Sequence, residues 1–298
     1  MARARIDFIT VTYGLNGDTR ALVESLARLD GIAAAGATVM IVDNASTAQT
    51  EHELRALAPI YPGPLVVLPQ RENLWYWRGV ERAWRERYPD PGAAPDWLVI
   101  CNNDVVFDDP AFLTRLGEVT DPGIGVVAPR IVSAATGADQ NPFLERPRSF
   151  LQRLQWHVFY SHYVVARLLV AVARGLAAVG WRHRGRRAPA DPRDETPRRV
   201  YAPHGACLVL AREYFVRGGR LDTTVKMYAE ELTTAATAAA LGLGVLYCPG
   251  VWARHQEHGV VGGSLTRVKY DLQRAAFYND LRDYPPRVKA RMWSAMAP

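Results

Sequence analysis

The sequence has only three cysteines, and none of them belongs to a metal-binding pattern. Cys101, Cys207 and Cys248 lie far apart and no CxxC pair occurs, so a structural zinc site is not expected. Each cysteine lies in or beside an apolar run that is typical of a strand. This placement favours buried, reduced thiols in a cytosolic protein.

Several nucleotide-binding and hydrolase signatures are also missing. No GxGxxG follows the first apolar run and no GxxxxGK[ST] occurs, which leaves a dinucleotide Rossmann site and a P-loop without support. No GxSxG elbow offers a hydrolase serine. The N-terminus carries no signal-peptide core, and no apolar run has the length of a clean membrane span. A cytoplasmic location is therefore expected.

The composition is that of a globular protein with an excess of arginine. Of the 298 residues, 49% are hydrophobic and 22% are charged, which suits one large domain or two small ones. The net charge of +6 fits anionic partners such as nucleotides, phospholipid surfaces or nucleic acid. Of these we expect nucleotides and an anionic lipid surface, and no nucleic acid.

Apolar runs alternate with helical patterns along the chain, and this alternation predicts an α/β protein. The predicted strands are 6–12, 39–42, 65–68, 97–101, 124–129, 200–210 and 245–248. The predicted helices are 18–30, 50–57, 77–88, 163–179, 211–215, 230–241 and 269–281. Strands that alternate with helices favour a central, mostly parallel sheet with helices on both faces.

Polar side chains follow three of these strands at the point where each strand ends. Thr10 and Thr12 close the first strand, Asp43 follows the second, and Asn103 and Asp104 follow the fourth. The carboxyl ends of parallel strands meet in one crevice, where open α/β sheets bind ligands. Oxygen ligands there suit Mg²⁺ or Mn²⁺, whereas Asp104 taken alone is equally typical of a turn.

The second half of the chain holds two more groups of reactive side chains. Glu230 and Glu231 open a predicted helix after a Gly-Gly turn, where a carboxylate either caps the helix or acts as a base. His255 and His258 precede a glycine-rich loop, and each is a candidate ligand or a structural histidine.

These segments together resemble the family 2 glycosyltransferases, which have the GT-A fold, and among them the rhamnosyltransferase-like members. The resemblance is collinear, and it rests on residues 10–13, 42–46, 72–74, 79, 102–104, 205–212, 218–222, 230–231 and 255–264. It implies a metal-dependent, inverting hexosyltransferase that uses Mg²⁺ or Mn²⁺. The donor would be a UDP- or dTDP-linked sugar, and the acceptor a hydroxyl of a glycan, glycolipid or natural product.

The resemblance also implies roles for individual residues. Glu231 would be the catalytic base, with Glu230 beside it. Asp104 and His255 would bind the metal, with His258 as the rival of His255. The nucleotide would be bound by Thr10, Thr12, Tyr13, Asp43, Asn73, Arg78 and Asn103.

Two positions depart from the family pattern. Residues 75–78, which include Trp75 and Trp77, stand where the family often has a small, glycine-rich stretch, and either tryptophan could belong to the core. Thr233 stands where the family commonly has an aspartate. Two other functions therefore stay open: a nucleotidyltransferase of similar fold, and a catalytically inactive module that binds a nucleotide-sugar or a lipid.

The predicted helix 163–179 is apolar, with Arg167 and Arg174 on one face, and the arginine-rich run 182–199 follows it. Such a helix either packs into the core or lies on the inner face of an anionic membrane. We expect a GT-A domain over 1–264, with the amphipathic helix and basic linker of 150–199 as an insertion. Residues 265–298 would form a helical C-terminal extension.

Overall fold

The structure is a computed structural model that describes residues 4–14, 16–178, 196–257 and 265–283. The strands are β1 (Ile6–Thr12), β2 (Val39–Asp43), β3 (Leu65–Pro69), β4 (Trp97–Asn102), β5 (Val105–Val106), β6 (Ile124–Ser133), β7 (Arg198–Val200), β8 (Cys207–Ala211) and β9 (Gly244–His255). The helices are α1 (Asn16–Ala27), α2 (Ile32–Ala35), α3 (Ala48–Arg55), α4 (Trp75–Arg87), α5 (Phe112–Gly117), α6 (Phe150–Ser161), α7 (Tyr163–Ala178), α8 (Arg212–Val216), α9 (Glu230–Ala240) and α10 (Arg267–Asp283).

The strands of the described residues form one sheet in the order β3-β2-β1-β4-β8-β6-β9-β5, with β7 also paired to β9. β1 pairs in parallel with β2 and β4, and β2 pairs in parallel with β3. Beyond β4 the sheet is mixed, because β8 runs antiparallel to β4 and β6 while β6 and β9 are parallel. The predicted α/β fold is confirmed, and its parallel half is the N-terminal one.

The apolar side chains of β1 pack on both faces of the sheet. Phe8 packs in a cluster with Leu22 of α1, whereas Ile9 packs in a second cluster with Trp77 and Trp84 of α4. Successive residues of a strand point to opposite faces, so one strand supplies both cores. Helices cover both faces of the sheet, so apolar side chains are buried on both sides of β1.

Several elements differ from the predicted ones, among them α2, α5 and β5, which were not predicted. The predicted strand 200–210 is interrupted between β7 and β8, where Pro203 has no N–H to donate to a neighbouring strand. The last strand continues to His255 instead of ending at Cys248. Helix α6 was not predicted, and it begins with a capping box in which Ser149 Oγ accepts from the N–H of Gln152 and the Gln152 side chain accepts from the N–H of Ser149.

The two tryptophans of the atypical segment have different environments. Trp77 is buried in the core, with 1% of its surface exposed. Trp75 opens α4 with a left-handed φ of 64°, and the Asn44 side chain donates to its carbonyl at 3.1 Å. The ammonium of Lys226 lies 4.8 Å from the centroid of the Trp75 ring. Trp77 is therefore the core residue of the two.

Trp77→Ala should lower the free energy of unfolding by about 3–5 kcal/mol, because a large buried side chain leaves a cavity when it is truncated. Urea denaturation of the two proteins measures the difference. Trp156→Ala is the control, since 37% of Trp156 is exposed. Equal losses in the two variants would contradict the assignment of Trp77 to the core.

Candidate active site

The ends of the parallel strands bring several of the candidate residues together. Thr12 lies opposite Asp43 in the β1–β2 register, and β4 lies on the other side of β1. The Asn103 side-chain amide donates to Thr12 Oγ1 at 3.3 Å and to Thr19 Oγ1 at 3.2 Å. The polar groups that follow three different strands thus line one edge of the sheet.

Two polar atoms at this edge are buried without a hydrogen-bond partner among the described residues. Asp43 Oδ2 accepts from the Thr50 hydroxyl at 2.8 Å, but Asp43 Oδ1 accepts no hydrogen bond, and the hydroxyl of Thr10 has no partner either. An unsatisfied buried polar atom costs about 1–3 kcal/mol. Atoms left in this state beside a crevice are suited to binding a ligand.

The other nucleotide-site candidates are placed differently. Tyr13 is 49% exposed just after β1. Asn73 Oδ1 accepts from the N–H of Trp75 at 2.8 Å and so shapes the start of α4. Arg78 is exposed, and its Nε donates to the carbonyl of Thr223 at 3.3 Å. Arg78 therefore contacts the loop before α9 and not the group around Asp43.

The pairing of β5 with the end of β9 places His255 beside Asp104. Val105 lies opposite His255 in this antiparallel register, and His255 Nε2 is 3.3 Å from Asp104 Oδ1. Asp104 is 5% exposed, and its Oδ2 has no hydrogen-bond partner in the described part of the chain. His258, the rival candidate, lies outside the described residues.

A chain of hydrogen bonds orients His255 from behind. Its Nδ1 is 2.8 Å from Gln140 Oε1, and the Gln140 amide nitrogen donates to Glu257 Oε1. Glu257 Oε2 accepts from the hydroxyl of Ser133 at 2.7 Å. Because the Gln140 nitrogen faces the Glu257 carboxylate, the Gln140 oxygen faces His255 Nδ1. Nδ1 of His255 then carries the proton, and Nε2 keeps its lone pair. Sequence reasoning missed Gln140, which lies in no recognisable motif, and Glu257, although it lies between the two candidate histidines.

The donor set around Asp104 fits a divalent cation. A carboxylate oxygen without a partner and a histidine lone pair converge, and both are common ligands of divalent metals. Among the described residues no group of three His, Cys, Asp or Glu side chains gathers as a metal cluster. The chain would thus supply two ligands, as is usual where substrate phosphates and water complete the shell.

The acidic pair opens α9 beside the loop between β7 and β8. Glu231 Oε1 accepts from the N–H of Gly205 at 3.2 Å, and the hydroxyl of Tyr76 donates to the carbonyl of Gly205 at 3.4 Å. A Cβ at residue 205 would lie 2.9 Å from Glu231 Oε1, so a larger residue there would displace the Glu231 carboxylate from this position. Glu230 is buried and Glu231 is partly exposed.

The sequence profile described as Glycosyl transferase family 2 matches residues 7–169, which is more than half of the chain. The chain belongs to this family. It is accordingly a glycosyltransferase, and the matched region contains Asp43 and Asp104, the carboxylates of the strand ends. No curated protein sequence matches the chain.

Solved glycosyltransferase structures share the fold of this family 2 member. The mannosyltransferase PcManGT of Pyrobaculum calidifontis, in complex with GDP-Man and Mn²⁺, is 18% identical with a TM-score of 0.53, and the match covers 99% of this chain and 75% of that one. GalNAc-T7 with UDP, GalNAc and Mn²⁺ is 12% identical with a TM-score of 0.62, and the match covers 97% of this chain and 50% of that one. TarS 1-349 of S. aureus with UDP-GlcNAc is 14% identical with a TM-score of 0.53, and the match covers 97% of this chain and 70% of that one. At these identities the likeness shows the GT-A fold alone.

Burial changes the protonation of the acidic pair. Burial first, and then the charge of Glu231, raise the pKa of Glu230 from 4.5 to about 8. Burial also raises the pKa of Glu231, but hydrogen bonds from backbone N–H groups, including that of Gly205, and the Arg148 guanidinium oppose the rise. Near neutral pH Glu230 is therefore mostly protonated, whereas the Arg148 guanidinium favours the charged form of Glu231.

Glu230→Gln should make thermal stability less dependent on pH. Because the pKa of Glu230 is raised in the folded state, the folded protein binds this proton more tightly than the unfolded chain does, and stability falls as pH rises from about 4.5 through about 8. The glutamine does not titrate, so its stability relative to wild type should increase over that window. Calorimetric melting temperatures between about pH 5 and pH 9 measure this.

The matched control is Glu213→Gln, which changes a carboxylate whose side chain is 47% exposed and paired with Arg217 at 3.1 Å. Its melting temperature should follow the same pH trend as that of wild type. If the difference between Glu230→Gln and wild type were constant across the pH range, Glu230 would not be a carboxyl of raised pKa.

Proposed function

We propose that this family 2 member is a metal-dependent, inverting hexosyltransferase, which transfers a sugar from a UDP- or dTDP-linked donor to an acceptor hydroxyl. The observation that carries the proposal is a short path of contacts between two carboxylates: His255 beside Asp104 lies 6.2 Å from His204 between ring centroids, and the next residue, Gly205, donates to Glu231. The buried Asp104 Oδ2 has no partner among the described residues, while Glu231 stands at the start of α9. Asp104 is suited to holding a metal ion that binds the diphosphate, and Glu231 is suited to accepting the proton of the acceptor hydroxyl.

The nucleoside would be held at the ends of β1 and β2. Asp43 Oδ1 and the hydroxyl of Thr10 are buried acceptors or donors that a base or ribose would satisfy. Asn103 donates a hydrogen bond to Thr12 at 3.3 Å. This contact would fix the two side chains between the nucleoside and the metal. Tyr13, Asn73 and Arg78 stay in the proposal as residues that surround the bound nucleotide-sugar.

Asp104 and His255 would hold Mg²⁺ or Mn²⁺. When bound, the ion neutralises charge on the diphosphate leaving group. The hydrogen bond of His255 Nδ1 with Gln140 keeps Nε2 directed at Asp104, so the two ligands are positioned before the ion arrives. The complexes of PcManGT and GalNAc-T7 with Mn²⁺ support this part of the proposal.

Glu231 would accept the proton of the acceptor hydroxyl as its oxygen attacks the anomeric carbon. Two features suit it to this role: the Arg148 guanidinium favours its charged form, and backbone N–H donation from Gly205 fixes one carboxylate oxygen. Glu230 would stay protonated behind it. One base and one in-line displacement give inversion, without the second flanking carboxylate of a retaining hydrolase.

We also propose the division of the chain into a GT-A domain over 1–264, with 150–199 inserted, and an extension over 265–298. It is supported by the packing of Tyr270 and Phe277 of α10 against Tyr160 of α6 and Ala166 of α7. These residues form a cluster apart from the two that cover the sheet.

A donor screen tests the proposed function directly. The melting temperature is measured with UDP-, dTDP- and GDP-sugars, dTDP-rhamnose included, each with and without Mn²⁺. A ligand that binds only the folded state raises the melting temperature by mass action. A shift with a UDP- or dTDP-sugar that requires Mn²⁺ supports the proposal. A shift with GDP-sugars alone would correct the donor class, and no shift with any donor would contradict the proposed function.

Asp104→Asn should weaken Mn²⁺-dependent binding of the donor by on the order of 100-fold or more, because loss of a direct ligand costs at least as much as loss of an outer contact. Titration calorimetry with and without Mn²⁺ measures the affinity. Asp108→Asn is the control, since Asp108 pairs with Arg254 at 2.8 Å instead of His255. If Asp104→Asn bound donor and Mn²⁺ as wild type does, the metal would be bound elsewhere.

Glu231→Gln should lower kcat by on the order of 10² to 10⁴, the usual worth of general base catalysis. Donor affinity should barely change, because the base touches the acceptor and not the nucleotide. The matched variant is Glu230→Gln, which should reduce kcat less. Steady-state kinetics and donor Kd are measured for both. If Glu230→Gln were the inactive variant, the roles of the two would be reversed, and if neither lost activity the mechanism would be wrong.

A further inference from the structure

Two neighbouring helices hold most of the large apolar side chains that the described residues leave exposed. Nine of the thirteen such side chains lie in α6 and α7. We call these nine the hairpin surface: Phe150, Leu151, Leu154, Trp156, Val158, Val164, Leu168, Leu169 and Val172. A large patch of neighbouring exposed apolar side chains usually marks an interaction surface.

The hairpin surface does not belong to the protein core. Of the described side chains of α7, only Ala166 is buried, and Tyr160 is the buried residue of α6. Val164, Leu168 and Val172 are four residues apart, so they form one stripe along α7. More than half of the area of Leu168 and of Val172 is exposed, at 61% and 59%. The alternative of an ordinary core helix is therefore wrong.

The sequence segment that contains α6 and α7 carries charged residues of one sign. From residue 146 to residue 190 the sequence contains nine arginines and no aspartate or glutamate. Arg167 and Arg174 are seven residues apart and lie on the flank of the exposed apolar stripe of α7. An apolar stripe beside a row of arginines is the arrangement of helices that lie in the interface of an anionic bilayer.

From these observations we propose that α6 and α7 dock this protein on an anionic lipid bilayer. Charge complementarity favours the lipid over a second copy of the chain, because two copies joined through this surface would oppose arginine to arginine. No single helix of the described residues is long and apolar enough to cross a membrane, and α6 with Tyr163–Leu176 has that length only as a pair bent by 116°. Insertion of that pair would carry Arg167 and Arg174 into hydrocarbon, which is costly.

The hairpin surface adjoins the proposed acceptor side of the crevice. The guanidinium of Arg148 lies 5.4 Å from the ring centroid of Trp156 in α6. The positive charge of Arg148 also opposes the rise that burial causes in the pKa of Glu231. If Glu231 is the base, as the proposed function holds, a docked protein presents its base near the bilayer. The docking itself does not depend on that function.

The experiment is co-sedimentation of the full chain with vesicles of phosphatidylcholine alone and with added phosphatidylglycerol. The protein should bind the anionic vesicles at low salt, bind the neutral ones far more weakly, and be released as salt rises. Arg167→Glu together with Arg174→Glu should weaken binding by about 30-fold or more. Leu168→Glu together with Val172→Glu should abolish it.

The matched control is Val216→Glu together with Val268→Glu, which adds the same charge at residues 51% and 63% exposed elsewhere on the surface. This control should keep most of the binding. No binding of wild type to anionic vesicles at low salt would overturn the proposal. Binding that persists at about 1 M salt would overturn surface docking in favour of insertion. A wild-type dimer in ultracentrifugation that Leu168→Glu with Val172→Glu dissociates would assign the surface to self-association. The vesicle experiment contains no sugar donor and no acceptor, so its result does not depend on whether the proposed glycosyl transfer is correct.

Discussion

The pairing of the two-residue strand β5 with the end of β9 joins the halves of the candidate site. Val105 lies opposite His255, and the N–H of Gln256 donates to the carbonyl of Asp104 at 2.9 Å. Asp104 comes from the parallel half of the sheet and His255 from the mixed half. Backbone hydrogen bonds hold both strands in this register, so the two side chains meet whatever ligand is present. The contacts of Gln140 and Glu257 with His255 only refine a position that the sheet has already set.

The same edge of the sheet concentrates groups that reduce stability. Asp43 Oδ1, Asp104 Oδ2 and the hydroxyl of Thr10 are buried without partners among the described residues, and Glu230 is buried enough to raise its pKa to about 8. Apolar residues at these positions would relieve the penalty of burying polar atoms. The three unsatisfied oxygens lie near the ends of β1, β2 and β4, while β2 and β4 are otherwise apolar up to these ends, and this is the pattern expected where stability is traded for binding and catalysis.

The parts of the fold that could be predicted from the sequence are those decided locally. An unbroken apolar run followed by Asp43 or Asp104 predicts a buried strand and its polar end without reference to any other segment. The contact of Gln140 with His255 depends on the β6–β9 pairing, which no local pattern encodes. Helix α6 was missed although the sequence carries a signal at its start, the capping box of Ser149 and Gln152.

Thr233 is the departure from the family pattern that lies nearest to the proposed base, Glu231. Its hydroxyl donates to the carbonyl of Ala229 at 2.8 Å, and the residue is 1% exposed. The side chain is thus turned back on its own helix. An aspartate there would add a third carboxyl within one turn of Glu230 and Glu231, in a place that already keeps one of them protonated. Threonine satisfies its own hydrogen bond and adds no further carboxyl to the pair. The departure therefore removes no charge that the proposed base needs, and it gives no reason to regard the site as inactive.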